Sequence, residues 1–342
     1  MGASTLPLPS PPSPFLGLSF TLCTLSVLFL AHDLAISRQA QSGVSLHAPP
    51  KNASAAYLSA RLSEGILARY DDMRDEWIPS DSTLLPKGPY PTPVDILIFG
   101  DSVDRYLVKD GCLQWGATAF EWADGVLLYT AEPATLRCVA PWGTMSSVHL
   151  YGAAPTGPYA YSFSNNNAAG GHEQRGKGDF FVDTQLRIPK ALELYEQQLF
   201  KLPDVVVYQS SLWDAKEAVE ASGPVSNEHL TLLLRKFRER VHAILDQVLL
   251  LLSRRSGEQQ PVLLLRTTPV NKAGSKVLPA LNAVMRNIGK ERQIGVVDWD
   301  AMMHGEAWSN PFRDTVHPSE QHNVWFHRVL VEFSHLITRR DQ

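Results

Sequence analysis

The sequence predicts an α/β fold, a three-layer doubly wound arrangement around a five-stranded, mainly parallel sheet. Two observations predict it. After Pro93 the chain alternates short apolar runs with segments of helical spacing, the pattern of buried strands joined by crossover helices. The segment between the third and fourth runs carries apolar residues at intervals of three and four along its whole length.

With 342 residues, 44% apolar and 19% charged, the chain can bury one substantial core, and one main domain is expected over residues 94–342. A Pro-rich tail (1–14), an apolar segment (15–36) and a stem and linker (37–93) precede it. From Phe15 to Ala31 no residue is charged, and the length lies between that of a signal-peptide core and a membrane span. The segment therefore reads as a signal peptide or signal anchor. Either sends the chain into the secretory pathway, as a single-pass membrane protein with a luminal or extracellular domain or as a secreted protein. The membrane is thus an expected partner through this segment, although Arg38 follows the run with no Lys or Arg before it, against the positive-inside rule for a luminal C-terminus. Asn52 opens the glycosylation sequon Asn52-Ala53-Ser54. Residues 54–73 have helical spacing, and the Pro-rich stretch 78–93 reads as a linker.

Strands are expected at 94–100, 147–152, 204–210, 261–268 and 294–300. The helix over 227–257 ends at basic residues and Gly257. Further helices are expected over 189–200, 276–290 and 319–338. In an open sheet of this kind, ligands bind at the carboxyl ends of the strands.

A net charge of −4 gives no clustered basic excess, so nucleic acid is not an expected partner. Gly171, Gly176 and Lys177 imitate a phosphate loop, but Gly178 stands where Ser or Thr is needed, and neither a strand before nor a helix after completes the motif. Residues 164–179 read as a polar loop. No close His/Cys cluster is present, so neither a metal nor a cofactor is expected. Cys112 and Cys138 are the only cysteine pair in the folded part, and two readings stand, a disulfide or two buried thiols.

The first strand stops at Gly100, Asp101 and Ser102. Serine becomes a nucleophile when a base removes its proton, and the base works best when a carboxylate fixes its tautomer. Asp314 and His317, three residues apart in "DTVHP" just before the last helix, offer that pair, and one turn can present both to the same side. The alternative for Ser102 is a turn residue, and for Asp314 a cap. Trp213 and Asp214 read as packing and capping after the third strand, Asp298 and Asp300 as helix caps, and His149 and His304 as core or surface histidines.

"GDS" after the first strand, "YG" ending the second, "YQSSLWD" ending the third and "DTVHP" before the last helix resemble, in order, blocks I, II, III and V of SGNH, or GDSL-type, hydrolases. Arg105 three residues after the serine, with Trp213-Asp214 after the third strand, is similar to the PC-esterase and trichome birefringence-like branch. The resemblance covers roughly Val94 to the C-terminus. It implies a flavodoxin-type strand order, Ser102 as nucleophile, His317 as general base and Asp314 as the residue orienting it. It also implies backbone N–H donors at Ser102 and Gly152 for the oxyanion. Block III normally adds an Asn side chain, and Ser211 stands in its place, with Gln209 two residues before. Arg105 and Gln209 are candidates for substrate or loop contact.

The expected activity is that of a Ser-His-Asp ester hydrolase or O-acyltransferase acting through an acyl-enzyme on an acyl, in particular acetyl, ester. The branch resemblance implies a small-molecule or carbohydrate ester. The alternative is an SGNH-fold glycan-binding or structural protein with impaired catalysis.

Overall fold

The computed structural model of the chain describes residues 68–71, 76–79, 92–123, 135–150, 152–153, 180–199, 201–215, 226–255, 260–270, 277–303 and 312–338. The Pro-rich tail, the apolar segment 15–36, the sequon at Asn52, the loop 164–179 and His304 lie outside these residues. No helix among the described residues is long and apolar enough to cross a membrane.

Where residues 54–73 have helical spacing, the described part is a strand. β1 (Ala68–Asp71) pairs antiparallel with β2 (Glu76–Pro79), in register from Ala68 opposite Pro79 to Asp71 opposite Glu76. Over residues 68–71 the expectation of a helix is corrected, because helix propensity there yields to backbone pairing, and the rest of 54–73 lies outside the described residues.

The main sheet comprises β3 (Val94–Gly100), β4 (Thr135–Ala140), β5 (Gly143–His149), β6 (Val205–Tyr208), β7 (Val262–Arg266) and β8 (Gly295–Val297). Their order is β4-β5-β3-β6-β7-β8, parallel except for the antiparallel edge strand β4. The helices are α1 (Ser102–Gln114), α2 (Phe180–Leu199), α3 (Asn227–Arg255), α4 (Leu278–Arg292), α5 (Trp299–Met303) and α6 (Glu320–Thr338).

Strand alternation builds two cores. Ile96, Ile98, Val205 and Val207 pack with α1, α5 and α6 through Leu107, Trp299 and Phe326. Leu97, Phe99, Val206 and Tyr208 face α2, α3 and α4 through Tyr195, Phe237 and Met285. This is the period-two alternation of a sheet covered on both faces, and it makes every residue of β3 buried.

The sheet has six strands rather than five, and β5 starts at Gly143 rather than Ser147. The missed edge strand joins β5 through Pro141 and Trp142, which lack the Asn-Gly signature of a two-residue hairpin. Gly143 has φ of 134°, and a Cβ there would lie 2.0 Å from the Val94 carbonyl oxygen. Thr144 and Ser146 break the apolar pattern but are satisfied across the sheet, Thr144 donating to Asp95 at 2.5 Å and Ser146 accepting from Arg137 Nε at 2.9 Å. α2 begins nine residues before Pro189, which was expected to open it. Asp298 accepts from the Ala301 N–H at 3.2 Å in the first turn of α5, while Asp300 accepts from Val270 at 3.1 Å and from Arg286 at 2.8 Å.

Candidate active site

β3 delivers its last residue, Gly100, to the carboxyl edge of the sheet, and α1 starts at once. Asp101 is the N-cap, accepting the Val103 N–H at 2.8 Å, while Asp104 Oδ2 accepts the Asp101 N–H at 3.1 Å. This reciprocal capping box holds the turn on both sides. Gly100 is required by it, since a Cβ there would lie 1.9 Å from Asp104 Oδ2. Ser102 therefore occupies the first helical position, where its backbone N–H has no intrahelical acceptor.

The Ser102 Oγ lies 2.9 Å from His317 Nε2, across 215 residues of sequence. His317 Nδ1 lies 2.8 Å from Asp314 Oδ2. A carboxylate only accepts, so the imidazole proton is on Nδ1 and Nε2 accepts from the serine hydroxyl. The other Asp314 oxygen accepts the backbone N–H groups of Val316 and His317, each at 2.7 Å. Partial burial pushes the Asp314 carboxyl up, but the hydrogen bonds from the backbone and ring of His317 and from Val316 outweigh it and hold the group below its ordinary range.

The loop carrying this pair is pinned to the serine helix. Arg313 reaches Asp110 of α1, which also accepts from Asn323 of α6 at 2.7 Å, and Arg313 Nε donates to the Pro318 carbonyl at 3.0 Å. Tyr106, one turn beyond the serine, meets the His317 ring edge-on at 4.7 Å, with the Arg313 guanidinium 4.8 Å from its centroid. Arg105 is half-buried, its guanidinium 5.5 Å from the Tyr106 ring.

A buried polar network lies against the Asp101 turn. The Gln209 amide donates to Asp101 and, at 3.4 Å, to Asp104, while its carbonyl accepts from Thr268 at 3.2 Å. Arg266, at the end of β7, donates to Asp104 at 2.6 Å and to the Thr267 carbonyl at 2.8 Å. Burial above all, and then the Asp104 charge, push the Asp101 carboxyl up to about 7. Gln209 is 1% exposed, and of the two readings, substrate or loop contact, its contacts with the Asp101 turn match the second. Its amide is committed to the two carboxylates.

The two remaining oxyanion candidates are placed differently. Ser211 is buried, with its hydroxyl 3.3 Å from that of Thr268. Gly152 follows β5 with φ of 128° and lies against Asp214, which accepts the Ala153 N–H at 3.0 Å. Asp214, read as a cap, in fact ties the end of β5 to the turn after β6. His149 stands opposite Gly100 in the β5–β3 register, and burial, aided by the charges of Arg105, Arg187 and His317, pushes its pKa down to about 3. Cys112 and Cys138 form a disulfide that joins α1 to β4. Among the described residues no three His, Cys, Asp or Glu side chains cluster as metal ligands.

Sequence reasoning did not find Asp104 and Arg266. Asp104 was visible as the fourth residue of an Asp-x-x-Asp capping box, and Arg266 as a charge closing the apolar run "VLLL".

No protein-family model and no curated protein matches the sequence. Among solved structures the fold is similar to a carbohydrate acetylesterase family member from Sinorhizobium meliloti, at 14% identity and a TM-score of 0.37, covering 69% of this chain and 95% of that one. It is also similar to an aryl esterase from M. smegmatis, at 16% identity and a TM-score of 0.38, covering 70% and 97%. A member of the lipolytic protein G-D-S-L family from Veillonella parvula aligns at 11% identity with a TM-score of 0.32, covering 69% and 97%. At that level these likenesses assign neither activity nor substrate to this chain.

Proposed function

We propose that this chain is a serine esterase of the SGNH type, acting on short acyl esters. The reading is carried by one observation, the continuous line from Ser102 Oγ through His317 to the Asp314 carboxylate, at 2.9 and 2.8 Å. Ser102 attacks the acyl carbon while its proton passes to His317 Nε2, and Asp314 supports the imidazolium that forms. The tetrahedral oxyanion is held by the backbone N–H groups of Ser102 and Gly152. Collapse expels the alcohol, which takes the proton from His317, and leaves Ser102 acylated. Water, deprotonated by the same histidine, then releases the acid.

A sugar hydroxyl in place of water would make the same intermediate an acyl donor, and O-acetylated carbohydrate is the substrate class we propose. The Cys112–Cys138 disulfide supports an oxidising, secretory location for the domain, with residues 15–36 as the delivering segment and Asn52 as a glycan acceptor.

The test is the full chain, secreted with its disulfide, assayed on 4-nitrophenyl acetate and on a panel of O-acetylated sugars. Released acetate scores hydrolysis, and acetylated oligosaccharide scores transfer. Ser102→Ala should abolish both, together with labelling by a fluorophosphonate probe. Equal labelling of wild type and Ser102→Ala would refute the assignment.

A further inference from the structure

We infer that Asp214 is a positioning residue for the Gly152 oxyanion donor. The inference rests on the reading of Ser102 as an acyl-transfer nucleophile.

An oxyanion donor is effective only when its direction is set before the charge develops. Gly152 is poorly suited to that by itself, since it has left the strand and glycine has the widest backbone freedom of any residue. Among the described residues the pairing of β5 with β3 extends as far as the Leu150 N–H, which donates to the Gly100 carbonyl at 2.5 Å. Beyond it the chain is held by side chains. The Gly152 carbonyl accepts from Thr184 Oγ1 of α2 at 2.9 Å. On the other side of the same peptide unit, the Ala153 N–H donates to both oxygens of Asp214, at 3.0 and 3.3 Å. The peptide plane that follows Gly152 is thereby clamped at both polar ends, which fixes one of the two planes whose relation through φ and ψ aims the Gly152 N–H.

Asp214 is itself immobilised. It is fully buried and accepts from Ser210 Oγ at 2.7 Å. Its fork bridges the segment after β5 and the turn after β6, the two strands flanking the one that ends at the nucleophile. Gly152 is matched to this carboxylate as well as to its positive φ, because a Cβ would come within 2.6 Å of Asp214 Oδ1. A capping role for Asp214 would not require that close approach.

The experiment compares Asp214→Ala, Asp214→Asn and Thr184→Val in the full chain, using 4-nitrophenyl acetate and a fluorophosphonate probe, with thermal melts to confirm folding. Asp214→Ala frees the clamped peptide, and kcat should fall about 10- to 100-fold with KM changed less than about threefold, the signature of a misplaced transition-state donor. The probe should label it more slowly in proportion. Asp214→Asn keeps an oxygen for the Ala153 N–H and should restore kcat to within about fivefold of wild type. Thr184→Val, which loosens only the carbonyl side, should lower kcat by roughly three- to tenfold.

A folded Asp214→Ala protein with unchanged kcat overturns the inference, as does an Asp214→Asn protein equally impaired. If Asp214→Ala does not fold, an unchanged kcat in Thr184→Val overturns it. Failure of the underlying reading is distinct, since wild type would then show no labelling that depends on Ser102.

Discussion

Arg266 Nη2 donates to Asp104 Oδ2 over 2.6 Å with both side chains entirely buried, so the helix that starts at Ser102 is anchored by an ion pair to the end of a strand two positions away. Removing one partner of such a pair strands the other as an uncompensated buried charge, and here Asp101 stands next to it. Arg266→Leu should therefore cost about 3–5 kcal/mol of stability, read from urea midpoints. The double variant Arg266→Leu/Asp104→Leu should recover most of the loss apart from the cap. A single variant as stable as wild type would show the pair to be dispensable.

Asp101 titrates near 7 in the folded chain against an ordinary 3.8. Between these values the folded state holds a proton that the unfolded state releases, so this stabilising contribution is complete below 3.8 and is lost as pH rises through 7. Asp101→Asn retains the cap without the charge. Its stability relative to wild type should improve steadily from pH 5 to pH 8 in paired denaturant titrations, and a constant difference would contradict the shift.

Asp314 is half exposed yet fixes the tautomer of His317 through Oδ2, while its Oδ1 holds the loop backbone. Asp314→Asn should lower kcat on 4-nitrophenyl acetate by between about 10² and 10⁴-fold with little change in KM. A loss under about threefold would mean that the loop backbone alone orients the ring.

His327 of α6 is buried against Gly111 of α1, where a Cβ would come within 2.1 Å of its ring, and burial pushes its pKa down to about 3. His149 is also pushed down to about 3, and His322 to about 4. Unfolded histidines take up protons near 6.5, so this contribution is present above that pH and is lost as pH falls from 6.5 towards 3. His327→Leu should flatten the acid limb of the stability curve by a few kcal/mol without moving the neutral plateau in its favour. An unchanged acid limb would remove His327 from the account.

The disulfide joins residues 26 apart in sequence. Closing a loop of that length stabilises by roughly 3 kcal/mol through the unfolded chain. Cys112→Ala/Cys138→Ala should lower the melting temperature accordingly, and a reducing agent should do the same to wild type but not to the variant.

β3, β6, β7 and β8 were legible because they are apolar but for Asp95 and Arg266. Val94–Gly100 was bounded to the residue, and β6, β7 and β8 lie within the predicted runs. Period reading failed where polar residues are paired inside the sheet. Thr144 and Ser146 disguised the start of β5, and the hairpin to β4 lacks turn residues that announce themselves. At the site, Ser102, Asp314 and His317 could be named because each follows or precedes a recognisable element. Asp104, Arg266 and Thr268 could not be grouped, because their meeting depends on which strands are neighbours, and that information is not local.

The 215 residues between Ser102 and His317 also separate them in time. At a synthesis rate of 5–20 residues per second, the serine is made roughly 10 to 40 s before its base exists. Its helix, both cysteines of the disulfide and all six strands of the main sheet come first, whereas Asp314, His317 and the helix that seats them come last. An incomplete chain thus carries the hydroxyl without the His317 ring that it meets in the folded chain, and that contact forms only when the loop before the last helix docks. A ribosome-stalled chain ending before residue 312 should accordingly remain inert to the fluorophosphonate probe.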